Sequence, residues 1–221
     1  VSFKTRIMNI LILIALLISF IPYSKNERDT ETAIIYTFPE ESEPHEGTWL
    51  QWPHHYQYGK KFRDDLDPTW VTMTKELISS EKVHIIAYDN TEKNRIIKLL
   101  TKQSVDLTNI DFNIYPTDDF WVRDNGPIYV CDKKGNLVIQ DWGFNGWGNK
   151  VKFTDCNIIP QKIGLNQNRT VVDLNNVMIN EGGSVELDGK GTLMACKSSI
   201  LNNNRNPNMT LKEAEDIFTK Y

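Results

Sequence analysis

Cysteine is scarce in this sequence. There are three residues, Cys131, Cys156 and Cys196, an odd number and far apart. They form no C-x-x-C pair and have no histidine at ligand spacing, so a zinc site is not expected. Cys131 and Cys196 lie in strand-like runs, PIYVC and TLMAC, where a buried thiol acts as a small apolar residue. A basic face is also missing. The 25 Lys and Arg are scattered among 29 Asp and Glu, which argues against nucleic acid as a partner. The mild excess of acid suits a cationic ligand but is common in proteins that bind nothing charged. No apolar run reaches the ~20 residues a spanning helix needs. The longest, Ile10–Ile21, is about a dozen and follows Lys4 and Arg6. That pattern predicts a secretory signal over residues 1–24, with an uncleaved N-terminal anchor as the alternative. The folded part is then expected from about Ala33 to residue 221, working outside the cytoplasm. With 40% hydrophobic and 24% charged residues in 221, composition favours one ordinary globular core.

What is present alternates. DPTWVTMTKELISS has helical spacing, with Asp67-Pro68 as its expected start. KVHIIAYD and IDFNIY are short β-branched runs, hence strands, and NTEKNRIIKLLTKQ between them returns to helical period. Two hairpins follow, PIYV-CDKKGN-LVIQDW and Ser184–Ser198. Their turns align without gaps at an offset of 56 residues, Asp132–Leu137 against Asp188–Leu193. The same offset sets DNGP (Asp124–Pro127) against NEGG (Asn180–Gly183). This reads as a weak internal repeat that brings the two loops before the hairpins to one end of the molecule. Gly182, Gly183, Gly189 and Gly191 are expected to serve tight turns. At the end of the chain, Thr210 and Glu213 predict a capping box for a helix whose apolar face is Leu211, Ala214, Ile217 and Phe218.

The densest chemistry lies in DDFWVRDNGP (Asp118–Pro127). A solvated turn has no use for Trp121, and a core strand has none for Asp118, Asp119 and Asp124. The combination suits a planar cation, held by carboxylates and stacked on an aromatic face. Arg123 is left out of that set because like charges repel.

Five stretches in order are similar to the agmatine deiminase family, which includes the Porphyromonas-type peptidyl-arginine deiminases. They are EPHEGTWLQWPH, DDFWVRDNGP, FNGWGNK, EGGSVELDGKGT and LNNNRNP. The resemblance, from about Phe38 onward, implies an α/β fold: a five-bladed pseudo-symmetric propeller of the pentein type, of which this chain would supply roughly the first three blades. It implies hydrolysis of a guanidinium C–N bond, with agmatine or peptidyl-arginine as substrate, and neither cofactor nor metal. Asp124 matches the guanidinium-binding aspartate, and Glu181 the acid that pairs with a catalytic histidine. Trp121 would lie against the cation, with Asp118, Asp119 and Trp52 as further substrate contacts. Trp49, Trp52 and His54 can equally be framework. The reading requires that Asp124 and Glu181 meet, and that neither be buried in an unrelated ion pair.

The sequence departs from the family in two respects. No Gly-His-x-Asp motif follows LNNNRNP, and none of the three cysteines stands in the context of the family's nucleophile. The resemblance therefore implies the N-terminal part of a deiminase, without turnover of its own. A secreted, non-catalytic binder of amines or guanidines is the alternative from another class.

Overall fold

The computed structural model describes residues 36–221; the expected signal and the expected start at Ala33 lie outside them. Strands β1 (Gly47–Gln51), β2 (Lys82–Ala87) and β3 (Ile110–Ile114) form a parallel sheet in that order. Strand β2 reads VHIIA without polar alternation beyond His84, which fits a strand covered on both faces. Val83, Ile85 and Ala87 pack against Trp70 and Val71 of α1 (His55–Leu77) and against Ile96 and Leu100 of α2 (Asn90–Lys102). Ile86 points the other way, into a cluster with Ile139, Ile159 and Ile163.

Helix α1 corrects the expected start at Asp67-Pro68. It begins at His55, is interrupted at Gly59 (φ 81°), and runs through Pro68. Pro68 and Asp64 are both exposed, so the Asp64 carbonyl that lacks its helical donor can meet water. Asp67 does not cap. It is buried, accepts from Trp52 Nε1 at 2.9 Å and pairs with Arg95. Helix α2 starts on Asp89, placed by the sequence at the end of a strand run, whose side chain accepts from the Glu92 amide at 2.8 Å.

A second sheet joins β4 (Ile128–Cys131) antiparallel to β5 (Leu137–Gly143), and β5 parallel to β6 (Val171–Ile179). The crossover runs through α4 (Thr154–Asn157) and α5 (Ile159–Asn166). A third sheet is the hairpin of β7 (Val185–Leu187) and β8 (Leu193–Ala195). The 56-residue offset holds at the level of register. Cys131 pairs with Leu137 and Leu187 with Leu193; Val130 pairs with Val138 and Glu186 with Met194. In the turns, Asp132 Oδ1 accepts from the amides of Lys134 and Asn136, and Asp188 Oδ1 from those of Lys190 and Thr192. Gly135 and Gly191 take the same left-handed place, at φ 79° and 99°.

Helix α6 (Lys197–Ile200) leads to α7 (Leu211–Lys220), which starts on the expected capping box. Ala214, Ile217 and Phe218 pack with Trp142 and Leu174, whereas Leu211, expected on that face, is exposed in the first turn. The cysteine expectation needs one correction. Cys196 falls just past β8, where the backbone turns into α6, and is exposed. Among the described residues, no helix is long and apolar enough to cross a membrane, and no group of three or more His, Cys, Asp or Glu could hold a metal.

Candidate functional site

Trp121 directly precedes α3 (Val122–Asn125). It is 50% exposed, with its ring 4.9 Å from that of buried Phe120. Asp124, half-buried, accepts from Trp147 Nε1 at 3.0 Å. Burial pushes its carboxyl above the usual aspartate range. The Trp147 N–H and the Gly183 amide pull it back, while the charge of Glu181 adds to the rise.

Trp147 is presented by unusual backbone. Gly146, Trp147, Gly148 and Asn149 all have positive φ, from 58° to 86°, so Gly146–Asn149 is a single left-handed turn. Left-handed backbone costs a non-glycine residue roughly 1–2 kcal/mol. Asn145 offsets part of this by accepting from the Gly148 amide at 2.9 Å through its side chain and by donating to the Asn204 carbonyl at 2.8 Å.

The loop that carries Glu181 packs on α3. A Cβ on Gly182 would lie 2.5 Å from the Arg123 carbonyl oxygen, and one on Gly183 would collide with Asp124 Oδ1. These two glycines therefore permit close approach rather than a turn, correcting the expectation for them. Gly189 and Gly191 do have the positive φ of turn glycines. Glu181 is 3% exposed. Arg205 Nε lies 2.7 and 3.0 Å from its two oxygens, and Ser199 donates at 3.1 Å. Its carboxylate is thus in a buried ion pair, and the partner comes from LNNNRNP, one of the five stretches. Gly148 faces the same arginine, where a Cβ would sit 3.7 Å from Arg205 Nη1.

Four stretches therefore converge: DDFWVRDNGP, FNGWGNK, EGGS and LNNNRNP. Sequence reasoning named Asp124, Glu181 and Trp121 but drew no residue from FNGWGNK or LNNNRNP, and so missed Trp147, Arg205 and Ser199. Those two motifs were the available signal; what was hidden is that a left-handed turn and a loop 24 residues after Glu181 close on the same acids.

The remaining candidates are placed elsewhere. Asp118, buried, accepts from the Asp155 and Cys156 amides at 2.6 and 3.2 Å and pairs with Lys152 at 2.9 Å, which caps α4. Asp119, also buried, accepts from Tyr58 Oη at 3.0 Å, Gln57 Nε2 at 3.3 Å and the Phe120 amide at 2.9 Å. Burial raises its pKa. Trp52 is framework, 1% exposed in the first core. His54 is also internal, with Nε2 at 2.9 Å from the Thr117 carbonyl. Trp49 stacks on His84 at 4.5 Å and lines a separate cleft of about 470 Å³ with Phe38, Tyr129 and Val185. Arg123 and Gly182 border that cleft; its lining does not include Asp124 or Glu181. The two acids instead lie on two loops packed together, Asp124 in α3 just after Trp121 and Glu181 directly before the Gly182–Ser184 turn. A half-buried carboxylate there, oriented by an indole N–H, can accept N–H donors from a planar cation in a medium less polar than water.

The sequence profile of the Porphyromonas-type peptidyl-arginine deiminase family matches residues 37–221. Agmatine deiminase of Pseudomonas aeruginosa (strain LESB58) is 31% identical over 201 residues, covering 89% of this chain and 53% of that protein. Agmatine deiminase of Stutzerimonas stutzeri (strain A1501) is 30% identical over 198 residues, covering 84% and 50%. The chain thus spans about half the length of these curated relatives. Among solved structures, a C. jejuni agmatine deiminase variant with substrate bound superposes with a TM-score of 0.72 at 24% identity, over 83% of this chain and 52% of that one. Agmatine deiminase of Enterococcus faecalis gives 0.72 at 22%, over 84% and 50%. At these identities the superpositions establish the fold.

Proposed function

The chain belongs to the Porphyromonas-type peptidyl-arginine deiminase family, and on that premise we propose that it forms the cation-holding part of a hydrolase acting on a guanidinium C–N bond, with agmatine as substrate. In that reaction water adds across the guanidinium carbon, one C–N bond breaks, and agmatine gives N-carbamoylputrescine and ammonia, a step toward putrescine. The three sheets would be blade-like units of a five-bladed pentein propeller.

One observation carries the reading: the loops that bear Asp124 and Glu181 pack directly on each other, and exposed Trp121 stands at the start of the same short helix as Asp124. Asp124 accepts two N–H groups of the planar cation, whose fork of donors matches a carboxylate. Trp121 stacks on its face. The Trp147 N–H holds the Asp124 carboxylate in place before the ligand arrives. Glu181 is fixed by Arg205 and Ser199 at the rear of the site. The cysteine and histidine that the resemblance implies have no counterpart motif in these 221 residues. The chain alone is therefore expected to bind a guanidinium without converting it.

Peptidyl-arginine is the second reading. It is favoured by an open aromatic rim, in which Tyr58 and Phe62 are 45% and 41% exposed and continue through Phe120 to Trp121. Work outside the cytoplasm is proposed on the basic-then-apolar pattern of residues 1–24. N-terminal sequencing of exported protein that still begins at residue 1 would refute cleavage.

Calorimetric titration with agmatine tests the site. The chain should bind saturably, and Asp124→Asn should weaken binding at least ~10-fold, because a charge-assisted hydrogen bond contributes about 1.5–3 kcal/mol. Equal affinity in the variant, or ammonia release above a buffer blank, would refute the proposal. Running the titration with an arginine-containing peptide separates the two substrates.

A further inference from the structure

Two carboxylates close enough to feel each other would repel and favour protonation of one, or attract a divalent cation. The structure answers this with Arg205. Its Nε reaches both Glu181 oxygens at 2.7 and 3.0 Å, and its side chain is 12% exposed against 4% for that of Glu181. Ser199 from α6 occupies a further acceptor position of Glu181. The other charge on α3, Arg123, turns outward to Glu41, though its charge still pulls the Asp124 carboxyl down somewhat. Lys152 belongs to Asp118, and the groups turned toward Asp124 are Trp147 and the Gly183 amide.

Resting on the cation-binding reading above, we infer that Arg205 is the positioning residue of this site. Held against Glu181 it makes that pair neutral, and Asp124 is left with a single negative charge facing the ligand. The site is thereby tuned to a monocationic planar head group rather than to a divalent metal ion. A buried ion pair adds little net stability, so the consequence of this one lies mainly in the field at Asp124. Gly148 serves the same loop contact, because its φ of 86° suits glycine and a Cβ there would press on Asn204 Cβ at 3.1 Å, next to Arg205.

The charge argument makes an ordered prediction that a packing role does not. Methylguanidinium binding is titrated as a function of pH from the ordinary aspartate range upward, since the Asp124 carboxyl is raised, with Mg²⁺ as a second ligand. Glu181→Gln leaves Arg205 uncompensated, so its binding midpoint should move to lower pH while affinity on the plateau falls about tenfold. Arg205→Gln leaves Glu181 uncompensated, so its midpoint should move to higher pH and Mg²⁺ should begin to compete. The double variant Glu181→Gln with Arg205→Gln restores a neutral pair and should return the midpoint to that of the parent. Arg205→Lys keeps the charge and should stay near the parent. Where Arg205→Gln alone does not fold, the order of parent, Glu181→Gln and the double variant still decides. Midpoints that move in the same direction, or do not move at all, overturn the inference. A parent chain that binds no better than Asp124→Asn overturns the cation-binding reading instead.

Discussion

Asp141 is wholly buried in β5. Its Oδ2 accepts from Gln161 Nε2 at 2.9 Å and from Asn175 Nδ2 at 2.8 Å, while Oδ1 has no protein partner. Burial, helped by the negative charge of Asp173, pushes its pKa up to about 6. The folded chain therefore keeps this proton at pH values where the unfolded chain has released it, and stability falls as pH rises from about 4 to about 6. Asp141→Asn keeps an acceptor for both donors and removes the buried charge. It should raise stability at pH 8 by about 2 kcal/mol and change little near pH 4, read as urea midpoints at the two pH values. An equal shift at both would mean that Asp141 is not the titrating group. The sequence showed this residue only as part of the strand run LVIQDW, since burial on both faces cannot be read from one strand. The thiols show the same gap. Cys156 is buried and its pKa is pushed up to about 11, whereas exposed Cys196 is held below the usual thiol range by hydrogen bonds from Ser198 and Ser199. A mild thiol reagent should therefore label Cys196 first and reach Cys156 only on unfolding. Mass spectrometry of a partial digest would show the order, and early labelling of Cys156 would count against it.

At the scale of elements, local signals were legible where the chain satisfies itself locally. The Thr210–Glu213 box and the two Asp-Gly hairpin turns use partners within a few residues, so spacing alone exposes them. Thr210→Ala should cost about 1 kcal/mol by loss of that cap, measured as a shift in unfolding midpoint. Helix α1 was misread because its true start is set from a distance. Glu92 lies 2.9 Å from His55 Nδ1 and accepts from Arg63 at 2.8 Å, and Arg95 pairs with Asp67, which ties α1 to α2 beyond the reach of sequence spacing. The pairing of α3 with the Gly182–Ser184 turn is likewise tertiary. A methyl at Gly183 meets Asp124 directly, so Gly183→Ala should lower guanidinium affinity about tenfold by displacing the acid. Stability should change less, because φ there is not left-handed. Unchanged affinity would show that this close approach does not set the Asp124 carboxylate.

Across the whole molecule, the α/β alternation and the 56-residue offset announced the class of fold and the repeated hairpin, but not how the sheets join. That junction is Ile86 of β2 against Ile139 of β5, with Ile159 and Ile163 of α5. Strand β2 thereby belongs to two cores at once, since its opposite face forms the first core with α1 and α2. The third cluster, around Trp142, Leu174 and Ala214, touches neither helix of the first. The two sheets are then coupled through these four isoleucines, with Trp49, Tyr115, Tyr129 and Val171 packed around them and a Trp49 Nε1–Tyr129 Oη hydrogen bond of 3.2 Å. Ile139→Ala and Ile96→Ala each remove the same atoms from a fully buried site and should cost similar amounts, about 2–5 kcal/mol. They should differ in cooperativity. Ile96→Ala weakens one core from within and should leave a single transition, whereas Ile139→Ala weakens the joint between them. In the latter, unfolding followed by tryptophan fluorescence and by far-ultraviolet circular dichroism should separate, with a lowered m-value for each step. Coincident transitions in both variants would mean that the sheets are held together by more than this cluster, with the shared backbone around Asp118 and Cys156 as the next place to cut.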